Sequence, residues 1–93
     1  MRESQIEAKL KQMVEKMGGI APKFISSGLI GMPDRLVLLP GGHMAFVEVK
    51  APGKVPPPLQ EARHRMLRKL GFKVYVLDDA IQIGGILDEI RTT

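Results

Sequence analysis

Two apolar runs joined by Pro40-Gly41-Gly42 constrain this chain more than any other feature. Arg35-Leu36-Val37-Leu38-Leu39 reads as a strand buried on both faces, and His43 to Lys50 reads as the returning arm of a hairpin. Proline followed by two glycines turns the chain between them. Strand side chains alternate, so Ala45, Val47 and Val49 face one way and Phe46, Glu48 and Lys50 the other. Asp34 begins the first arm, directly after Gly31-Met32-Pro33, and Glu48-Val49-Lys50 closes the second. A hairpin brings its open ends together. Two carboxylates and one ammonium therefore meet on adjacent strand ends.

The rest of the chain frames this hairpin. Ser4-Gln5-Ile6-Glu7 has the pattern of a capping box, with Ser4 as N-cap and Glu7 at the third helical position. Ile6, Leu10, Met13, Val14 and Met17 recur at helical spacing as one buried stripe, and Gly18-Gly19 ends the helix. Residues 21–26 form a short β-prone segment. Pro52, Pro56, Pro57 and Pro58 stiffen the next loop, and Pro58 suits the first turn of a helix. The spacing predicts that helix over about residues 59–70, with Leu59, Ala62, Met66 and Leu70 inward and Gly71 as its stop. Residues 72–77 read as another strand, and residues 86–91 as a short terminal helix. The order α-β-β-β-α-β, with a final helix, implies an α/β fold whose mixed sheet is flanked by helices. At 93 residues the chain reads as one domain, 1–93. A chain of this length buries only about two thirds of its unfolded surface, so self-association is expected.

The absence of cysteine excludes disulfides and thiolate metal sites and favours the cytoplasm. No apolar run approaches the roughly 20 residues of a membrane-spanning helix. The chain opens directly into an amphipathic helix, so no secretory signal is expected. The net charge of +4 suits a polyanionic partner through counterion release, or else is a solubilising surface. Lys23, Lys54, Arg65 and Arg68 are the candidate phosphate contacts, and for each the alternative is a solvated face. Phe24, Phe46, Phe72 and Tyr75 fall mostly in core-like positions, which argues against base stacking and for backbone recognition.

Phosphodiester hydrolysis needs a cation at the scissile phosphate, an activated water and a stabilised leaving oxygen. Mg²⁺ takes oxygen ligands and is commonly held by one or two carboxylates plus substrate oxygens. Asp34 and Glu48 meet that need, with the Val49 carbonyl as a third ligand. Lys50 stands ready to touch the phosphate or orient the water. Glu7 either closes the capping box or points across the sheet to the metal. Gln60 is either a polar first-turn residue or a contact to the site's water or phosphate. His43 and His64 read as surface histidines with no catalytic role.

At these residues the chain resembles the VRR-NUC family (virus-type replication-repair nucleases) of the PD-(D/E)XK nuclease superfamily. The resemblance runs through Glu7, Gly31-Met32-Pro33-Asp34-Arg35, Pro40-Gly41-Gly42, residues 46–53, Gln60 and Gly71-Phe72-Lys73-Val74. It implies a restriction-endonuclease-like α-β-β-β-α-β core and Mg²⁺- or Mn²⁺-dependent cleavage of DNA. It carries over Glu7, Asp34 and Glu48 as acidic site residues, Lys50 as the catalytic lysine, and Gln60 as the glutamine that follows the lysine strand. Stand-alone members of this size resemble homodimeric endonucleases that cut four-way (Holliday) junctions, which suits a bacterial or phage-infected cell. The hydrophobic hairpin and the Ile81 to Ile90 segment are the candidate dimer surfaces. The Pro56-Pro57-Pro58 run departs from the more polar helix cap expected there. The competing readings are a branched-DNA-binding module that does not cut, and a nuclease of the same superfamily acting on flaps or other DNA.

Overall fold

The computed structural model describes residues 1–92. The elements are α1 (Glu3–Lys16), β1 (Arg35–Leu39), β2 (His43–Val49), α2 (Pro58–Lys69), β3 (Val74–Leu77), a 3₁₀ turn (Ala80–Gln82) and α3 (Ile83–Thr92). The sheet order is β1-β2-β3, with β1 antiparallel and β3 parallel to the central β2. Residues 20–24 lie along the outer edge of β1, bridging Ile20 to Leu38 and Lys23 to Arg35. This irregular edge is the β-prone segment between α1 and the hairpin. The result is a small α/β fold with a mixed sheet between helices.

The alternation along β2 creates two layers. Ala45, Val47 and Val49 pack with Val37, Leu39 and Leu77 against Ile6, Leu10 and Val14 of α1 and Ile83, Leu87 and Ile90 of α3. Phe46 lies on the opposite face with Leu67 and Val74, and Phe24 and Phe72 meet its ring edge-to-face at 5.7 and 6.0 Å. The α1/α3 layer is the larger core. The α2 layer is thin and leaves room for polar side chains. No helix of the described residues is long and apolar enough to cross a membrane.

Several local expectations change. The first helix starts one residue before Ser4, with Arg2 as N-cap. The backbone N–H of Arg2 donates to Gln5 Oε1 at 2.6 Å, so Glu7 is free of any capping role. Strand β1 is not buried on both faces: Arg35, Val37 and Leu39 are buried, whereas Leu36 and Leu38 are half-buried under the thinner layer. Helix α2 turns a different face inward. Leu59 and Leu70 are 45% and 67% exposed, while His64 and Leu67 are buried. The reason is the surface that α2 covers, which carries Glu48 and Lys50. A stripe of leucines there would strip water from charged groups and return no hydrogen bonds. Phe72 is exposed rather than core. Helix α3 is longer than its sequence signal and spends Ile83, Leu87 and Ile90 on its own core, leaving Ile81 as the exposed apolar residue of that segment.

Candidate active site

Asp34 is placed from both sides. The loop before it presses against α2, where Gly31 adopts a φ of +89°. A Cβ at Gly31 would lie 2.9 Å from Leu59 Cγ, so both the left-handed backbone and the close approach call for glycine. Arg63 Nε ties the same loop down by donating to the Ile30 carbonyl at 2.8 Å. Pro33 is buried, and the Asp34 carbonyl accepts the Phe24 N–H at 2.9 Å. Across the hairpin, the Val49 backbone N–H donates to Asp34 Oδ1 at 3.3 Å. The pairing of Arg35 with Val47, continued by one step, sets Asp34 opposite Glu48.

Glu48 is only 2% exposed. Its Oε2 lies 3.3 Å from Lys50 Nζ, and its Oε1 has no hydrogen-bond partner among the described residues. Lys50 is fixed in turn, since its backbone N–H donates to the Leu77 carbonyl at 2.9 Å. Burial pushes the Glu48 carboxyl above the usual carboxylate range, and the nearby Asp34 charge pushes it further; Lys50 offsets part of this. Burial likewise raises Asp34, opposed by the Val49 N–H, with the charges of Glu7 and Glu3 adding to the rise. Two acids that repel each other in a partly dry site favour any cation that can sit between them.

These shifts set a stability trend. A carboxyl whose folded pKa is raised binds its proton more tightly folded than unfolded. Its contribution is therefore greatest at low pH and falls as pH rises from the ordinary carboxylate value through the raised one. In EDTA, an Asp34→Asn/Glu48→Gln variant should melt at a temperature that falls less with rising pH over that range than the wild type's. Parallel melting curves of the two proteins against pH would contradict the assignment.

Glu7 reaches the site from α1 but is engaged. Arg35 Nη2 donates to Glu7 Oε2 at 3.1 Å, and Arg35 Nη1 to the Ala21 carbonyl at 2.6 Å. Glu7 and Asp34 nevertheless border one cleft of about 150 Å³ together with Lys23, Phe24, Ile25 and Arg35. Among the described residues, no three of His, Cys, Asp and Glu converge closely enough to enclose a cation unaided.

Helix α2 roofs the Glu48 side. Gln60 is half-buried and its Oε1 lacks a partner, as does Nε2 of the buried His64. A buried polar group left unpaired costs about 1–3 kcal/mol. Three such atoms, from Glu48, Gln60 and His64, belong to β2 and to the helix covering it. His64 is therefore not a surface residue. Its signal in the sequence is its position one turn after Gln60 on the same helix face.

The basic candidates surround these groups. Lys23 borders the Glu7–Asp34 cleft. Lys54 is exposed in the turn after Lys50, where its N–H donates to the Ala51 carbonyl at 3.0 Å. Arg65 and Arg68 are exposed and border a cavity of about 240 Å³ beside α2. A cavity of about 700 Å³ between α1 and α3 includes none of the candidate residues.

Known proteins share this fold. No family model matches the chain. A phage protein described as "Putative nuclease p44", from Acyrthosiphon pisum secondary endosymbiont phage 1, is 54% identical over 78 residues, spanning 84% of each protein. A solved structure described as a VRR_NUC domain superposes with a TM-score of 0.86 at 34% identity, over 92% of this chain and 94% of that one. Sequence identity of this extent, on a superposable fold, leaves one conclusion: the chain belongs to the VRR-NUC family.

Proposed function

We propose that this chain is a divalent-metal-dependent DNA endonuclease of the cytoplasm that acts as a homodimer on branched DNA, four-way junctions foremost. The observation that carries the catalytic part is the buried Glu48 carboxylate, with one oxygen on Lys50 and the other unpartnered, opposite Asp34. That oxygen and the raised proton affinities of both acids fit a hard cation such as Mg²⁺ or Mn²⁺. Asp34 and Glu48 would hold it, with Glu7 and the Val49 carbonyl completing the protein's share and substrate and water supplying the rest. When bound, the ion neutralises phosphate charge and acidifies its water. Lys50 keeps an ammonium beside the reacting phosphate, and Gln60 offers an amide to water or phosphate from α2. Lys23, Lys54, Arg65 and Arg68 bind the flanking backbone, which holds the duplex without reading bases.

Symmetry and exposed apolar surface support the dimer. Two sites related by a two-fold axis make paired cuts on a symmetric junction. Ile25 and Ile30 are 86% and 75% exposed, and Leu59 packs against the same loop at Gly31, so apolar surface remains near the site. Purified protein should cut a four-way junction in Mg²⁺ or Mn²⁺ and not in EDTA, and should sediment at twice the chain mass. Binding of junctions without cutting in either metal would favour the binding-module reading. Preferential cutting of flaps would reassign the substrate.

A further inference from the structure

His64 and the two arginines that follow it build a feature that the carboxylate chemistry does not use. Pro56, Glu61, His64, Arg65, Arg68 and Val76 line the cavity of about 240 Å³ beside α2. His64 is 2% exposed, and its Nε2 has no partner among the described residues. Arg68 is held in place, since its Nη2 donates to the Val74 carbonyl at 2.8 Å, and its remaining N–H groups stay available. Glu61 is the one carboxylate on the wall, against two guanidinium groups, so the cavity is net positive.

Register fixes where this cavity lies relative to the acids. Val76 pairs with Glu48 across β2 and β3, so its side chain shares the α2-facing side of the sheet. Adjacent strands are about 4.8 Å apart. Val76, on the cavity wall, therefore sits one strand over from Glu48, so a DNA backbone that passes the two acids runs toward the cavity.

We propose that His64, Arg65 and Arg68 form a subsite for the backbone phosphate next to the scissile one, with the buried imidazole giving its N–H to a phosphate oxygen that the arginines bring in. The proposal rests on the nuclease reading for the word "scissile" but not for the binding itself. Burial holds the His64 pKa below its ordinary value, with Arg68 and Lys50 adding to the effect. The uncharged imidazole that burial favours carries one N–H. Glycine or leucine at this position would leave the arginines as an ordinary charged surface. The imidazole gives the cavity a direction.

The test measures binding in EDTA, so that cleavage does not enter. A four-way junction carries a single uncharged methylphosphonate moved one position at a time along one strand. For the wild type, one position near the branch should weaken binding about tenfold, the loss expected for one charge-assisted contact. Arg65→Gln/Arg68→Gln should weaken binding to the unmodified junction and lower the slope of log affinity against log salt by about one. The same variant should show no further loss at that position. His64→Phe, which keeps the volume, should reduce the methylphosphonate effect, and His64→Gln should restore part of it. If His64→Phe does not fold, the exposed arginine pair alone decides. Losses that simply add, at every position, overturn the subsite. Binding with this pattern but no cutting in metal overturns the nuclease reading and leaves the subsite standing. Cutting without the pattern does the reverse.

Discussion

Replacing Lys50 by methionine is expected to lower DNA cleavage about 10²–10³-fold while leaving junction affinity within a few-fold of wild type, the loss typical of one preorganised charge-stabilising group. The ammonium is held in place. It sits 3.3 Å from Glu48 Oε2, its side chain is 18% exposed, and its backbone is locked to Leu77. A lysine that merely solubilised the surface would be mobile and expendable. Methionine keeps the length and apolar stem, so packing changes little, while Glu48 loses its partner and gains a further reason to hold a proton. Asp34→Asn should have a comparable effect, because the amide keeps an acceptor for the Val49 N–H and removes the charge. Single-turnover cleavage and anisotropy binding on the same junction separate the two outcomes. Full cleavage in either variant would end the site assignment, and lost binding with intact melting would place these residues in DNA recognition instead.

The largest stability effect is expected at Arg35. Its guanidinium is buried, bonded to the Ala21 carbonyl at 2.6 Å and to Glu7 at 3.1 Å. It ties α1, the irregular edge segment and β1 together at the point where Asp34 enters the site. Arg35→Met leaves a buried carbonyl without its donor and Glu7 without its counter-charge. Removing one partner of a largely buried pair costs about 3 kcal/mol. For a domain of this size that corresponds to a fall in melting temperature of about 10–20 °C. Glu7→Gln retains an acceptor for Arg35 and should cost about 1 kcal/mol or less. An unchanged melting temperature in Arg35→Met would show that the Glu7 contact contributes nothing to the fold. The contrast also bears on Glu7 itself. A Glu7→Gln protein that melts normally but cuts poorly would give this carboxylate a part in the chemistry beyond its ion pair.

Much of this architecture was legible in the residues. The hairpin, the α1 stripe of Ile6, Leu10 and Val14, and the alternation of Val47 and Val49 against Glu48 follow from local rules, because strand and helix periods act on neighbouring residues. The capping pattern misled, since Ser4-Gln5-Ile6-Glu7 and Arg2-Glu3-Ser4-Gln5 both place a polar residue three positions on. Glu7 instead pairs with Arg35, 28 positions further along the chain.

What the sequence by itself determined is the order of the helices and of the three sheet strands, though not the strand expected before the hairpin, which is only an edge of two isolated bridges, and the meeting of Asp34, Glu48 and Lys50, because a hairpin joins its ends whatever surrounds it. Only the tertiary structure decided which face of α2 turns inward. Periodicity favoured Leu59, Met66 and Leu70, yet the sheet beneath carries charge, so Gln60 and His64 cover it instead. A helix's own residues do not record the polarity of the surface it must cover.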